Sequence, residues 1–274
     1  MSSEAETSLH ISGSGRIQRF LDSARNDKAH HVTRALFAHL TIYHDERPHS
    51  AAMNMALDEA LLEFATVPTI RFYCWRSSAL SFGYFGKFSD VALYATERDI
   101  IRRWTGGGIV FHGADLTYSI VIPSNDPIFS ESSIVIYERI HRALVDALNE
   151  MGQRAVVAGG VDPGGVALSK NAAVSASGYN CFTNPVRADV MMDGRKIAGA
   201  AQRRTRRGLL QQGSIQGFLM KTDLAQKFSQ ALSPSCREFE ITEEIFRRAT
   251  ELAHEKYGTE FWLKKTVASR FGQP

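Results

Sequence analysis

One stretch combines fixed positive charge with backbone freedom: Arg102-Arg103-Trp104-Thr105-Gly106-Gly107-Gly108-Ile109-Val110-Phe111-His112-Gly113. Apolar β-formers flank it, Ile100 and Ile101 before the glycines and Ile109 to Phe111 after them. Glycines inside a strand pattern cost backbone entropy, so they mark a sharp bend or a place where the backbone approaches something closely. The two arginines suit a carboxylate, a phosphate or a phosphopantetheine group. The competing reading is a β-hairpin turn with its arginines on a solvated face. Neither GxxxxGK[ST] nor GxGxxG occurs, which excludes a P-loop and a Rossmann fingerprint. The cysteines Cys74, Cys181 and Cys236 are odd in number and far apart. That argues against a disulfide framework and for a reducing compartment. They lack metal-ligand spacing, and HExxH is missing too. His112 reads as a catalytic base or as a structural hydrogen-bonding histidine. Taken alone, Lys196 is an exposed hairpin lysine and the cysteines are small buried thiols. Asp58 and Glu59 are adjacent, point differently and do not form an acid/base pair.

The elements that must position these residues follow from pattern. A chain of 274 residues with 44% hydrophobic and 22% charged residues fits a globular protein with a substantial core. A net charge of +3 gives no general case for nucleic-acid binding. The basic run Arg203 to Arg207 is a solvated face or a docking patch for an acidic partner. Residues 1–15 are polar and small, without a signal-peptide core, and no apolar run would span a membrane. A cytoplasmic protein is expected. Residues 1–40 read as a partly disordered N-terminal extension with helical periodicity from Arg16 to His39. The main domain is expected over 41–262, with a tail at 263–274.

Within it, Leu40 to Tyr43 reads as a strand, and Ser50 to Phe64 as an amphipathic helix capped by Ser50. Strands follow at Thr69 to Trp75 and at Ala79 to Phe85, the latter broken by Gly83. Val91 to Arg98 reads as a short helix leading into the glycine turn. Leu116 to Pro123 is a strand, and Ser132 to Met151 is the longest helix, stopped by Gly152. Ala155 to Gly178 reads as a long loop. Ala188 to Met192, the Asp193-Gly194 turn and Arg195 to Ala198 form a hairpin. Leu209 to Ile215 is a strand, and helices cover Asp223 to Leu232 and Thr242 to Tyr257. These elements make an α/β (α+β) single domain, with a mixed, largely antiparallel sheet flanked by helices.

Several of these pieces resemble, in order, the lipoate–protein ligase and octanoyltransferase family, which shares its catalytic fold with biotin–protein ligases. They are MNMALDEALL (53–62), RFYCW (71–75), LSFGYF (80–85), RRWTGGGIVFHGADLTYS (102–119), GRKIAGAAQRR (194–204) and LLQQGSI (209–215). The resemblance implies an acyl tunnel walled by the glycine turn, with Arg102, Arg103, Gly106, Gly107, Gly108 and His112 as its binding loop. It implies that Lys196 reaches the acyl carbonyl, with the small Gly199 and Ala200 beside it leaving room for an acyl chain. Cys181 resembles the nucleophile of the cysteine-dependent octanoyltransferase branch. There an octanoyl group passes from octanoyl-acyl carrier protein, through a cysteine thioester, to a lysine of a lipoyl domain of a 2-oxoacid dehydrogenase or of glycine-cleavage H protein. That route needs no cofactor, metal, nucleic acid or membrane. Gly108 and Asp189 are features of the family's ligases, which use ATP and magnesium to form a lipoyl adenylate. An ATP-dependent lipoate–protein ligase is therefore the first alternative. A non-catalytic acyl-binding or scaffold protein is the second.

Overall fold

A computed structural model of the chain describes residues 35–159, 186–217 and 222–266. Cys181, most of the expected loop up to Gly178, the helical expectation for residues 16–34 and residues 267–274 lie outside the described residues. The compact unit begins at Ala35. Phe37, within the expected extension, is a core residue, as is Leu40 at the head of the first expected strand.

The elements, in order, are β1 (Leu40–His49), α1 (Ala51–Phe64), β2 (Thr69–Trp75), β3 (Ala79–Phe82), β4 (Asp99–Arg102), β5 (Val110–His112) and β6 (Asp115–Pro123). Then come α2 (Ser133–Glu150), β7 (Ala155–Val157), β8 (Val190–Met192), β9 (Arg195–Arg204) and β10 (Gly208–Gln216). The last are α3 (Thr222–Leu232), β11 (Cys236–Glu238), α4 (Glu243–Leu252), a π-helical turn (Ala253–Tyr257) and α5 (Glu260–Lys264). Eight strands form one sheet in the order β11-β1-β2-β6-β10-β9-β8-β7, and three form a second, β4-β3-β5. Pairing is antiparallel from β2 through to β7, and parallel where β1 meets β2 and β11. The mixed, largely antiparallel sheet is as expected.

Alternation along β6 explains the layers, because successive strand residues face opposite sides. Leu116, Tyr118, Ile120 and Ile122 join the core under α2 and α3. Val121 joins the core under α1 and α4. On α2, Ile136, Ile140, Leu144 and Leu148 recur at helical spacing and are fully buried, each stabilising by roughly 1.5–3 kcal/mol. Ser50 and Ser132 cap α1 and α2 by accepting the N–H groups of Met53 and Val135. Asp193 and Gly194 both have positive φ (49° and 74°), the requirement of a tight turn matching strand twist.

Three expectations are corrected. The segment 91–98 is not a helix but forms a short 3-10 turn at Ala92–Tyr94. The strand at Ala79 ends at Phe82, not Phe85. The glycine turn does not close a hairpin: β4 pairs parallel and β5 antiparallel with opposite edges of β3. The glycines therefore carry the chain across the end of β3, a topology that local pattern does not specify.

Candidate functional site

The glycine turn and the facing strands β9 and β10 line a narrow cleft. Gly107, Gly199, Ala200 and Ala201 form its narrow walls, and Met55, Trp75 and Val110 add apolar surface. Gly107 has φ of 86°, and a Cβ there would lie 3.2 Å from the Arg103 guanidinium and 3.3 Å from Ala201. An L side chain would strain the turn and fill the cleft together.

The two arginines part company because neighbouring residues on a strand face opposite ways. Arg103 lines the cleft. Its Nη1 donates to Ser81 Oγ (2.7 Å), and its Nη2 donates to the carbonyls of Gly106 (2.9 Å) and Gly108 (2.8 Å). The guanidinium thus holds the glycine turn in shape. Arg102 is fully buried on the other side and is not brought to the cleft. It donates to the carbonyls of Tyr84, Gly86, Trp262, Leu263 and Lys265 and lies over the Phe82 ring. Its geometry fastens residues 262–265 to β4.

His112 stacks on Trp75, with ring centroids 4.1 Å apart. Its Nδ1–H donates to Asp115 Oδ2 (2.8 Å), so Nε2 accepts from Ser81 Oγ (2.7 Å). Burial pushes the imidazole below its usual pKa. For Asp115, burial pushes upward, but the bonds and charge of His112, with Ser214 and the Gly113 N–H, hold the carboxyl below its usual range. Ser81, His112 and Asp115 have the hydrogen-bond order of a catalytic triad. Ser81 is nevertheless fully buried, and its oxygen already accepts from Arg103. These residues set the wall of the cleft. Beneath it, Thr105 donates to Gln212, and Gln212 donates to Asp58. Asp58 also accepts from Arg71, Tyr73 and Ser119.

Lys196 is not the exposed hairpin lysine of its local sequence: only 2% of its side chain is accessible. Val190 pairs with Ala198 while Met191 pairs with Lys196, so Ile197 is an extra residue in β9. Such a bulge re-aims neighbouring side chains. The ammonium lies 2.8 Å from Asp189 Oδ2. A Cβ on Gly199 would lie 2.5 Å from Lys196 Cε and 2.6 Å from Nζ. Glycine at this point of the cleft wall is what admits the lysine. Asp189 is fully buried; Oδ1 accepts from Tyr137 (2.6 Å), and Oδ2 accepts from the Val186 N–H (2.7 Å) besides Lys196. Both oxygens are engaged by protein donors, an arrangement that does not fit a magnesium ligand. Cys74 and Cys236 are half-buried, and burial with nearby carboxylates pushes both thiols up, away from reactivity.

Pattern reading did not find Ser81, Asp115, Tyr137 or Gln212, because nothing local marks them and their partners come from other elements. In the basic run, Arg204 donates to the carbonyls of Phe129 and Glu131, and Arg203 lies over Tyr84 and Trp104.

A narrow, largely apolar cleft thus lies between a glycine turn and a pair of central strands of an α/β domain, with a buried lysine beside its Gly199 wall. The lipoyl protein ligase A/B catalytic domain model matches residues 50–256. The octanoyltransferase LipM of Brevibacillus brevis is 31% identical over 230 residues, covering 80% of this chain and 79% of that protein. That of Kyrpidia tusciae is 37% identical over 196 residues, covering 69% of each. The chain belongs to the lipoyl protein ligase A/B catalytic domain family. Solved structures share the fold at low identity. A lipoate-protein ligase A bound with ATP has a TM-score of 0.63 at 22% identity, covering 84% of this chain and 100% of that one. A bi-partite lipoate protein ligase from Thermoplasma acidophilum has a TM-score of 0.63 at 21% identity, covering 85% and 99%. Among the described residues, no helix is long and apolar enough to cross a membrane.

Proposed function

We propose that this chain is an octanoyltransferase of protein lipoylation. It takes an octanoyl group from octanoyl-acyl carrier protein and delivers it to the lysine of a lipoyl domain or of glycine-cleavage H protein. The observation that carries this reading is the Lys196 ammonium, held against the Gly199 wall of a narrow apolar cleft. Relatives named octanoyltransferase, matched over most of the chain, support it. The nucleophile is Cys181, assigned on the resemblance. Its thiolate attacks the thioester carbonyl, and the carrier thiol leaves and takes up a proton. Lys196 stabilises the charge developing on the carbonyl oxygen. The neutral acceptor lysine amine then attacks the acyl-cysteine, the Cys181 thiolate leaves, the proton released by the nitrogen passes to the departing sulfur, and an amide remains. The acyl group arrives activated as a thioester, so the reaction calls for no ATP and no cofactor. A reducing compartment keeps Cys181 a thiol, which fits the cytoplasm.

Intact-protein mass after incubation with octanoyl-acyl carrier protein, without ATP, tests the reading. One octanoyl adduct is expected, absent in Cys181→Ser and discharged by a lipoyl domain. Absence of an adduct, with lipoyl-domain modification only when ATP and free lipoate are supplied, would make the chain a ligase instead.

A further inference from the structure

Helix α2 presents Tyr137 and His141 one turn apart, on the same face. Both reach the segment leading into β8. Tyr137 O–H donates to Asp189 Oδ1 (2.6 Å), and its oxygen accepts the N–H of Ala200 in the cleft wall (3.1 Å). His141 Nδ1–H donates to the carbonyl of Ala188 (2.5 Å), and Nε2 accepts from Tyr118 O–H (3.2 Å). Ala188 has φ of 70°, a left-handed conformation that a residue with a Cβ holds only when its surroundings enforce it. The rings of Tyr137 and His141 also pack together, 4.3 Å between centroids. Besides Lys196, Asp189 is held at Oδ1 by Tyr137 and at Oδ2 by the Val186 N–H.

We propose that Tyr137, together with Asp189, is a positioning residue for Lys196. Tyr137 ties the carboxylate that holds the ammonium to the same strand segment, at Ala200, that walls the cleft. The distance between the cation and the acyl carbonyl is then set by a short closed circuit: Lys196, Asp189, Tyr137, Ala200 and back along β9. Burial and the Asp189 charge raise the Tyr137 pKa, keeping the phenol protonated as a donor. The inference rests on the catalytic reading of Lys196.

A double-mutant cycle on octanoyl transfer tests it, with Tyr137→Phe, Lys196→Met and both together. Tyr137→Phe is expected to lower kcat by about tenfold to a hundredfold, with KM for octanoyl-acyl carrier protein unchanged. In the Lys196→Met background it should cost nothing further, because residues acting through one group are non-additive. An equal loss in both backgrounds, or no loss in the first, overturns the proposal. Full activity of Lys196→Met would instead sink the reading of the lysine, whatever Tyr137→Phe does. If Lys196→Met leaves no measurable turnover, amine labelling decides. Acetylation of Lys196 by acetic anhydride, read by peptide mass, should speed up several-fold in Tyr137→Phe, with exposed Lys87 unchanged. An unchanged Lys196 rate overturns the proposal.

Discussion

At the scale of single residues, the site depends on atoms that are missing as much as on atoms that are present. Lys196 Cε and Nζ occupy the space a Cβ on Gly199 would take. Gly199→Ala therefore has to displace the lysine or bend β9. A misplacement of about 1 Å at a catalytic group costs roughly a hundredfold in rate. We expect transfer by Gly199→Ala to fall on that order while circular dichroism stays native, measured with octanoyl-acyl carrier protein and a lipoyl domain. Wild-type rates in this variant would contradict the placement of the ammonium. Arg102 and Arg103 make the complementary point. Their sequence is symmetrical, but one holds the turn at the cleft and the other gathers carbonyls on the far side.

At the scale of elements, α1 matters through its polar side. Asn54 and Asp58, one turn apart, receive the fully buried Arg71, which also donates to Asp45. Asp58 links this pair to Gln212 and so to Thr105 in the glycine turn. Removing the Asp58 carboxylate leaves Arg71 paired with Asp45 but strips Tyr73, Ser119, Gln212 and one Arg71 nitrogen of a buried acceptor, a cost on the order of 3–5 kcal/mol. Asp58→Ala should lose stability of that size in urea unfolding, and its glycine turn should exchange amide protons faster. A loss below about 1 kcal/mol would mean that water already reaches the network.

At the scale of the whole molecule, two features join distant parts of the chain. Arg102 holds α5 and Lys265 against β4, and Trp262 Nε1–H donates back to the Arg102 carbonyl. Arg102→Met should release this segment to limited proteolysis near residues 260–265 well before the rest of the chain is cut. The second feature is titration. Burial lowers the His141 pKa from 6.5 to about 4. The unfolded chain binds that proton first, so stability from this group is full above pH 6.5 and falls away as pH drops toward 4, by about 3 kcal/mol. The lowered carboxyls of Asp45 and Asp115 act in a different window, below their usual value of 3.8. His112, also lowered by burial, loses stability in the same window, so unfolding free energies at pH 7, 5.5 and 4 should show a loss in the native chain and one smaller by the His141 share in His141→Asn, whose amide can still donate to Ala188.

Much of this was written locally. Helical spacing and cap residues gave α1 and α2 nearly to the residue, strand-forming runs gave β2, β6 and β10, and Asp193-Gly194 gave its hairpin. The order of motifs gave the family and drew attention to the glycine turn and Lys196. These features depend on neighbours within a few residues, or on the succession of segments along the chain. The tertiary structure decided what depends on contacts between distant segments. It placed β4 and β5 on opposite edges of β3, separated the roles of Arg102 and Arg103, and buried Lys196 against Asp189. It also brought Tyr137 from α2 to that pair. A charged side chain has no preferred partner until folding excludes water and leaves one within reach; for Lys196, that exclusion is made by strands and a helix its local sequence does not contain.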